Sequence, residues 1–283
     1  MKKHIKTILA LATLSLLLAG CNGGSSTTTS GSESSSSSSS STSTSGDQRL
    51  DPGDYYNSIS DSLTGNSLKT ALNSLNSTNR KRTVGYAGFK KFFKYSEIDW
   101  KDPTPSGKMV SFYNNVYVAN EWDDQKTWNR EHVWPNSLGG GSVEADAHMV
   151  RPCDKNINEG RGNQYYGKNL YDAGQYVAEY RGIAARIIFY CAIANTSLKV
   201  VDTNSGDSSS MGKLSDLLEW NLQYAPSKSE TASLALRVEQ NRNVVIQKNA
   251  SGQGNRNPFI DHPEYACKIW GSTNSKTKQI CGM

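Results

Sequence analysis

Two stretches of the chain hold most of its chemically useful side chains. Residues 128–135 read Trp-Asn-Arg-Glu-His-Val-Trp-Pro, and residues 144–163 carry Glu144, Asp146, His148, Arg151, Lys155, Asn156, Asn158, Arg161 and Asn163. His132 is the residue type of a general base near neutral pH. The Glu131 carboxylate and the Asn158 amide oxygen are hard donors. They suit Mg²⁺, which keeps several waters and takes few protein ligands. Arg161 lies three positions after Asn158, so a helix would present both on one face. A base, a sparse oxygen site and a guanidinium fork match phosphodiester hydrolysis: activate water, neutralise the phosphate, stabilise the leaving oxygen. Glu144 could orient His132 by accepting its other ring N–H, or be a solvated acid. Arg130, Arg151 and Lys155 are candidates for substrate phosphates. A Glu-His pair could also suggest a metalloprotease, but His-Glu-x-x-His is absent.

These residues need elements that bring 131–132 beside 158–161. Pro152 suits the start of a helix over residues 153–163. Asn is a poor helix former, so several in that helix imply selection by something other than propensity. Adjacent strand residues point to opposite faces. Glu131 and His132 can therefore share a site only if their strand is irregular or ends there, and Pro135 with the following glycines favours an early end. Asp146 and His148 would share a strand face. His148 reads first as a structural hydrogen-bonding residue, with a direct site role as the alternative. His262 reads as a turn residue. Arg242, Arg256 and Lys168 are either phosphate contacts or ordinary charges. Tyr165 and Tyr166 either stack bases or fill the core.

The remaining pattern predicts an α+β chain richer in helix. One or two short helices are expected over residues 54–75, broken near Gly65-Asn66. A hairpin is expected within 109–118, turning at Asn114-Asn115. A central core helix should cover 172–195, and further helices 213–224 and 229–240, with Pro226 as a stop signal between them.

Composition bounds the rest. The 283 residues suffice for one large domain or two small ones. Apolar residues make up 36% and charged residues 20%, low values that come largely from residues 22–46, nearly all Ser, Thr and Gly. Six Trp and fourteen Tyr can still furnish a core, which excludes a collagen, a coiled coil, a multi-span membrane protein and a fully disordered chain. The net charge of +5 includes Lys2, Lys3 and Lys6, so a polyanion site must come from local clustering. Residues 1–6 are basic and 8–18 apolar, a run too short for an ordinary span. Leu18-Ala19-Gly20-Cys21 resembles the bacterial lipobox. A signal peptide over 1–20 and a diacylated Cys21 are expected, giving an extracytoplasmic lipoprotein anchored to a membrane. The polar segment 21–47 would be a flexible tether with a reach of about 25–30 Å, followed by a folded domain over 48–283. Four cysteines remain, with no zinc-type spacing. Cys267 and Cys281, close in a polar tail, are expected to pair, and by elimination Cys153 with Cys191.

The motifs also carry a family resemblance. Arg130-Glu131-His132-Val133-Trp134-Pro135, Glu144-Ala145-Asp146-Ala147-His148 and Asn158-Glu159-Gly160-Arg161-Gly162-Asn163 resemble those of the endonuclease I family. Residues 253–263 are similar to its C-terminal motif. The resemblance spans about residues 86–270. It implies a mostly helical α+β domain around a small ββα-metal (His-Me finger) core. It also implies His132 as general base and Glu131 and Asn158 as ligands of Mg²⁺, with Mn²⁺ or Ca²⁺ as alternatives. The implied activity is sequence-nonspecific cleavage of DNA, and of RNA in many members, to 5′-phosphate and 3′-hydroxyl ends. A monomer is expected. One departure is clear: some members carry a Cys-rich insertion whose Arg contacts the cleaved phosphate, and here only Leu138-Gly139-Gly140-Gly141-Ser142 fills that space. Arg161 or Arg151 would have to serve instead. The competing reading is a surface lipoprotein that binds nucleic acid without cleaving it, although a binder has no need of His132.

Overall fold

The computed structural model describes residues 48–203 and 207–283. The signal peptide, the lipidated Cys21 and the tether fall outside the described residues. Helices α1 (Gly65–Asn79) and α2 (Phe89–Ser96) lead into a hairpin of β1 (Lys108–Val110) and β2 (Tyr117–Ala119). A second antiparallel pair, β3 (Trp128–His132) and β4 (Val150–Asp154), runs without a loop into α3 (Lys155–Arg161). Next come α4 (Tyr180–Ala194) and a short parallel pair, β5 (Lys199–Val200) and β6 (Ser210–Met211). Five helices complete the chain: α5 (Leu214–Gln223), α6 (Leu234–Lys248), α7 (Pro258–Asp261), α8 (Tyr265–Trp270) and α9 (Ser275–Cys281). The architecture is α+β, with small two-stranded sheets set among helices.

The core is built around α4, which is apolar on every side and therefore buried on every side. Ile183, Ile187, Ile188, Phe189 and Ile193 are all buried, and each such side chain contributes about 1.5–3 kcal/mol. Gly182 allows the Tyr224 carbonyl to approach, since a Cβ there would lie 2.5 Å from that oxygen. Arg186 is buried in the same core and forks onto Glu239, with both contacts at 2.7 Å. Breaking such a pair is costly because it strands a charge.

Several boundaries differ from expectation. α4 starts at Tyr180 rather than 172, because the Asp172 carboxylate accepts from the Gly174 amide and from Arg181 and holds the preceding residues in turns. α6 is displaced to Leu234–Lys248, since the hydroxyls of Ser227 and Ser229 accept backbone N–H groups and form turns before it. Gly65 opens α1, at the break expected there. Pro152 does not begin a helix. It lies in β4 opposite Arg130, and α3 begins where the Asp154 side chain accepts from the amides of Asn156 and Ile157.

Cys267 and Cys281 are joined, with an S–S distance of 2.01 Å. The pairing of Cys153 with Cys191 is overturned: both are free and buried, on β4 and α4. Burial pushes both thiols' pKa up, so they behave as small apolar core residues. Among the described residues no helix is long and apolar enough to cross a membrane.

Candidate active site

β3 carries the key residues on alternating faces. Asn129 and Glu131 turn toward α3. The Asn158 amide Nδ2 donates to Asn129 Oδ1 at 2.5 Å, and Arg161 Nε lies 3.6 Å from Glu131 Oε1. Arg130 and His132 turn toward Tyr86. The Arg130 guanidinium sits 3.5 Å from the Tyr86 ring centre and donates to the Tyr86 carbonyl, and the His132 ring lies 5.0 Å from the same ring.

The strand stops at His132. Arg161 Nη1 donates to the His132 carbonyl at 3.2 Å and Nη2 to the Val133 carbonyl at 2.9 Å, so these oxygens are taken by a side chain instead of a ladder. Beyond it the chain turns through Gly139, at φ 87°, and Gly140, where a Cβ would meet the Trp134 carbonyl. Both faces of β3 thus reach one open pocket of about 150 Å³, lined by Arg130, Glu131, His132, Asn136, Asn158 and Arg161 among others. The early strand end resolves the difficulty that adjacent residues face apart.

Glu131 is buried and accepts from the Tyr113 hydroxyl at 2.8 Å, and that hydroxyl also shares a 2.6 Å hydrogen bond with Tyr166. Burial pushes the Glu131 carboxyl pKa up, while Arg161 and Tyr113 pull it down. Tyr113 has φ 73°, in the left-handed region that disfavours bulky side chains. Burial holds the His132 imidazole below its usual 6.5, with Glu144 opposing. The Glu144 Oε2 is 3.7 Å from His132 Nε2, beyond hydrogen-bond range, and Nε2 is buried without a hydrogen-bond partner. Asn136 donates to the same Glu144 oxygen at 3.3 Å.

The donors fit a sparsely ligated hard cation. Glu131 and Asn158 border the same pocket. Asn129 occupies the Asn158 nitrogen, which leaves the amide oxygen to face a cation. A carboxylate disfavoured by burial gains from a neighbouring positive charge. Among the described residues no three His, Cys, Asp or Glu side chains cluster as a denser metal site.

Other expected contacts are not in the pocket. Arg151 is buried and forks onto Glu97 at 3.2 and 2.8 Å, because β4 turns it into the core. Arg161 lines the pocket, but its terminal nitrogens are spent on carbonyls, so it is no free fork for phosphate. Lys155, in the first turn of α3, points outward and pairs with Glu159 at 3.8 Å. Arg242 is buried against Glu97 and the Ala147 and Val150 carbonyls, and Arg256 against Asp261. Lys168 pairs with Glu219 at the surface. Tyr165 and Tyr166 are both core residues.

His148 is likewise internal. Burial pulls its pKa to about 4, and its Nε2 lies 3.3 Å from the Asn255 carbonyl. Beside it, Asp146 binds Tyr190, Gln253 and Arg80. His262 caps α7 and pairs with Glu264. Three supporting residues escaped the sequence reading: Tyr86, Tyr113 and Asn129. The period-2 spacing of Asn129 and Glu131 could have revealed Asn129. Nothing local marks the other two.

The endonuclease I family model matches residues 64–177 and 175–264, which contain the whole of this site. The chain therefore belongs to the endonuclease I family, a family of nucleases. It is 33% identical over 241 residues to an extracellular ribonuclease of Bacillus amyloliquefaciens, covering 76% of this chain and 78% of that one. It is 31% identical over 242 residues to an extracellular ribonuclease of Bacillus subtilis (strain 168), covering 77% and 78%. No solved structure matches the chain significantly.

Proposed function

We propose that the protein is an exported, lipid-anchored, divalent-cation-dependent endonuclease that cleaves DNA and RNA without sequence preference, leaving 5′-phosphate and 3′-hydroxyl ends. One observation carries this reading: His132, the only histidine at the site, borders the same pocket as Glu131 and Asn158. The relatives named extracellular ribonuclease support RNA as a substrate and an extracytoplasmic location. The β3–β4 hairpin running into α3 supports the ββα-metal reading.

Neutral His132 accepts the proton of the attacking water at the ring nitrogen that does not face Glu144. Glu144, 3.7 Å away, favours the imidazolium as it forms. Glu131 and Asn158 would hold Mg²⁺, or Mn²⁺ or Ca²⁺ in its place, and the bound cation would offset charge on the phosphate and leaving oxygen. Arg130, stacked on Tyr86 at the pocket edge, takes a phosphate of the strand. Arg161 holds the end of β3 and the Glu131 carboxylate in place. Incubating plasmid DNA and structured RNA with and without EDTA tests this. Cleavage that EDTA abolishes and Mg²⁺ restores is expected, with ends that ligase can rejoin. Undiminished cleavage in EDTA would remove the cation from the mechanism. Labelled fatty acid should enter the wild type and not Cys21→Ser; an unlabelled wild type would refute the anchor.

A further inference from the structure

The flank of α3 next to the active-site pocket borders a second, larger cavity of about 350 Å³. Its lining includes Asn156, Gly160, Gln164, Leu170, Asp172 and Tyr176. The volume falls in the range of ligand pockets, roughly 300–1,000 Å³. Asn158 and Arg161 of the same helix border the active-site pocket. The two cavities are thus separated by about one helix diameter, ~10 Å. That span equals two to three stacked nucleotides at ~3.4 Å each.

The lining chemistry is wrong for phosphate. No lysine or arginine borders the cavity, and its one charged group, Asp172, is paired with Arg181 at 2.6 Å. It is suited to an uncharged heterocycle. Gln164 Nε2 donates to the carbonyls of Gly160 and Arg161, both at 3.2 Å, which fixes its carbonyl oxygen as an acceptor. The Asn156 side-chain amide has no hydrogen-bond partner among the described residues and offers both a donor and an acceptor. Tyr176 is 54% exposed and Leu170 50%, so a flat aromatic face and an apolar edge stand open to solvent beside these amides.

We propose that this cavity is a subsite for one unpaired nucleobase of the strand being cleaved, with Tyr176 as its stacking platform and the adaptable amides of Asn156 and Gln164 hydrogen-bonding the edge of whichever base enters. The inference rests on the nuclease reading of the neighbouring pocket. A base inside a duplex is stacked and paired and cannot enter without being extruded. A single strand offers its bases freely, and unstacked bases are the usual targets of aromatic platforms. The subsite therefore makes single-stranded nucleic acid the favoured substrate.

Binding and cleavage are measured separately. A short single strand containing 2-aminopurine, and its duplex, are titrated into the His132→Ala protein. The single strand should be quenched on binding. Tyr176→Ala in that background should remove the quenching and weaken single-strand binding about tenfold. Gly160 lines the cavity and a Cβ there meets nothing within 4 Å, so Gly160→Phe can start its side chain into open space and, by occupying the cavity, should act the same way. Duplex binding should not change in either variant. With His132 intact, both variants should raise KM on single strands and leave kcat and duplex cleavage unaltered. Equal losses on both substrates, or no loss in either variant, would overturn the subsite. A chain that quenches the base through Tyr176 yet never cleaves would uphold the subsite and refute the nuclease.

Discussion

Arg161 donates to the carbonyls of both His132 and Val133, so the guanidinium expected on the substrate is the group that ends the strand carrying His132. It also lies 3.6 Å from Glu131, and both side chains are buried. Removing it leaves three carbonyls without this donor and the buried Glu131 carboxylate without its neighbouring cation. Arg161→Ala should lower stability by about 3–5 kcal/mol in urea unfolding. Arg161→Lys should not rescue it, because an ammonium lacks the planar fork that serves two carbonyls at once. A variant of unchanged stability whose KM rises and whose salt dependence weakens would show instead that Arg161 holds phosphate.

His132 and Asn158 should fail in different ways. Loss of a general base costs on the order of 10²–10⁴-fold in rate. His132→Ala should therefore lower kcat strongly and leave Mg²⁺ affinity and nucleic-acid binding near normal. Asn158→Ala should shift the Mg²⁺ dependence to higher concentration and be partly rescued by excess cation. Isothermal titration with Mg²⁺ alone separates the two. If His132→Ala loses the cation while Asn158→Ala keeps it, their roles are exchanged.

The thiols give a structural check. Cys267 and Cys281 close a loop with a sequence separation of 14, for which chain entropy predicts about 3 kcal/mol of stabilisation. Urea unfolding with and without reductant should show a difference of that order. Alkylation of the native, unreduced domain should label neither Cys153 nor Cys191, and urea should expose both. Peptide mapping that finds Cys153 bonded to Cys191 would contradict the arrangement.

His148 makes stability depend on pH. Its pKa is about 4 in the folded protein, against about 6.5 when unfolded. Between those values the unfolded chain binds a proton that the folded chain does not. The stability associated with neutral His148 is intact above about 6.5 and falls as pH drops toward 4, by roughly 3 kcal/mol. His148→Gln should flatten the fall relative to wild type, and parallel profiles for the two proteins would refute the assignment.

What the sequence revealed follows the reach of local rules. Glu131, His132 and Asn158 do border one pocket, and their grouping could be read from the family motifs, whereas strand alternation alone argues against it. The early end of β3 could be read from Pro135 and the glycines, but not its cause, since Arg161 reaches back 29 residues to the His132 carbonyl. Arg151, Arg242 and Arg256 look like surface charges in a linear reading. Their burial depends on Glu97 and Asp261 being delivered by other elements. Tyr113 is tied to Glu131 by a hairpin whose turn could be foreseen and whose docking could not. Pro152 draws the expected start of α3 too early, because the cap is formed by the Asp154 side chain two residues on.

The polar core around Asp146 determines when this chain can become an enzyme. Asp146 sits in the segment between β3 and β4, and its partners come from Arg80, Tyr190 and Gln253, while Asn255 reaches Asn76 across 179 positions. Such distant pairings carry a high loop-closure cost and form late. A ribosome or translocation channel that has delivered only the first two hundred residues has delivered Glu131, His132 and Asn158 together with Arg80 and Tyr190, but not Gln253 and Asn255. Closure of this polar core must wait for Gln253 and Asn255. A chain emerging from its N-terminus thus secures the β3–β4 hairpin only after a stretch of more than a hundred further residues has followed it out.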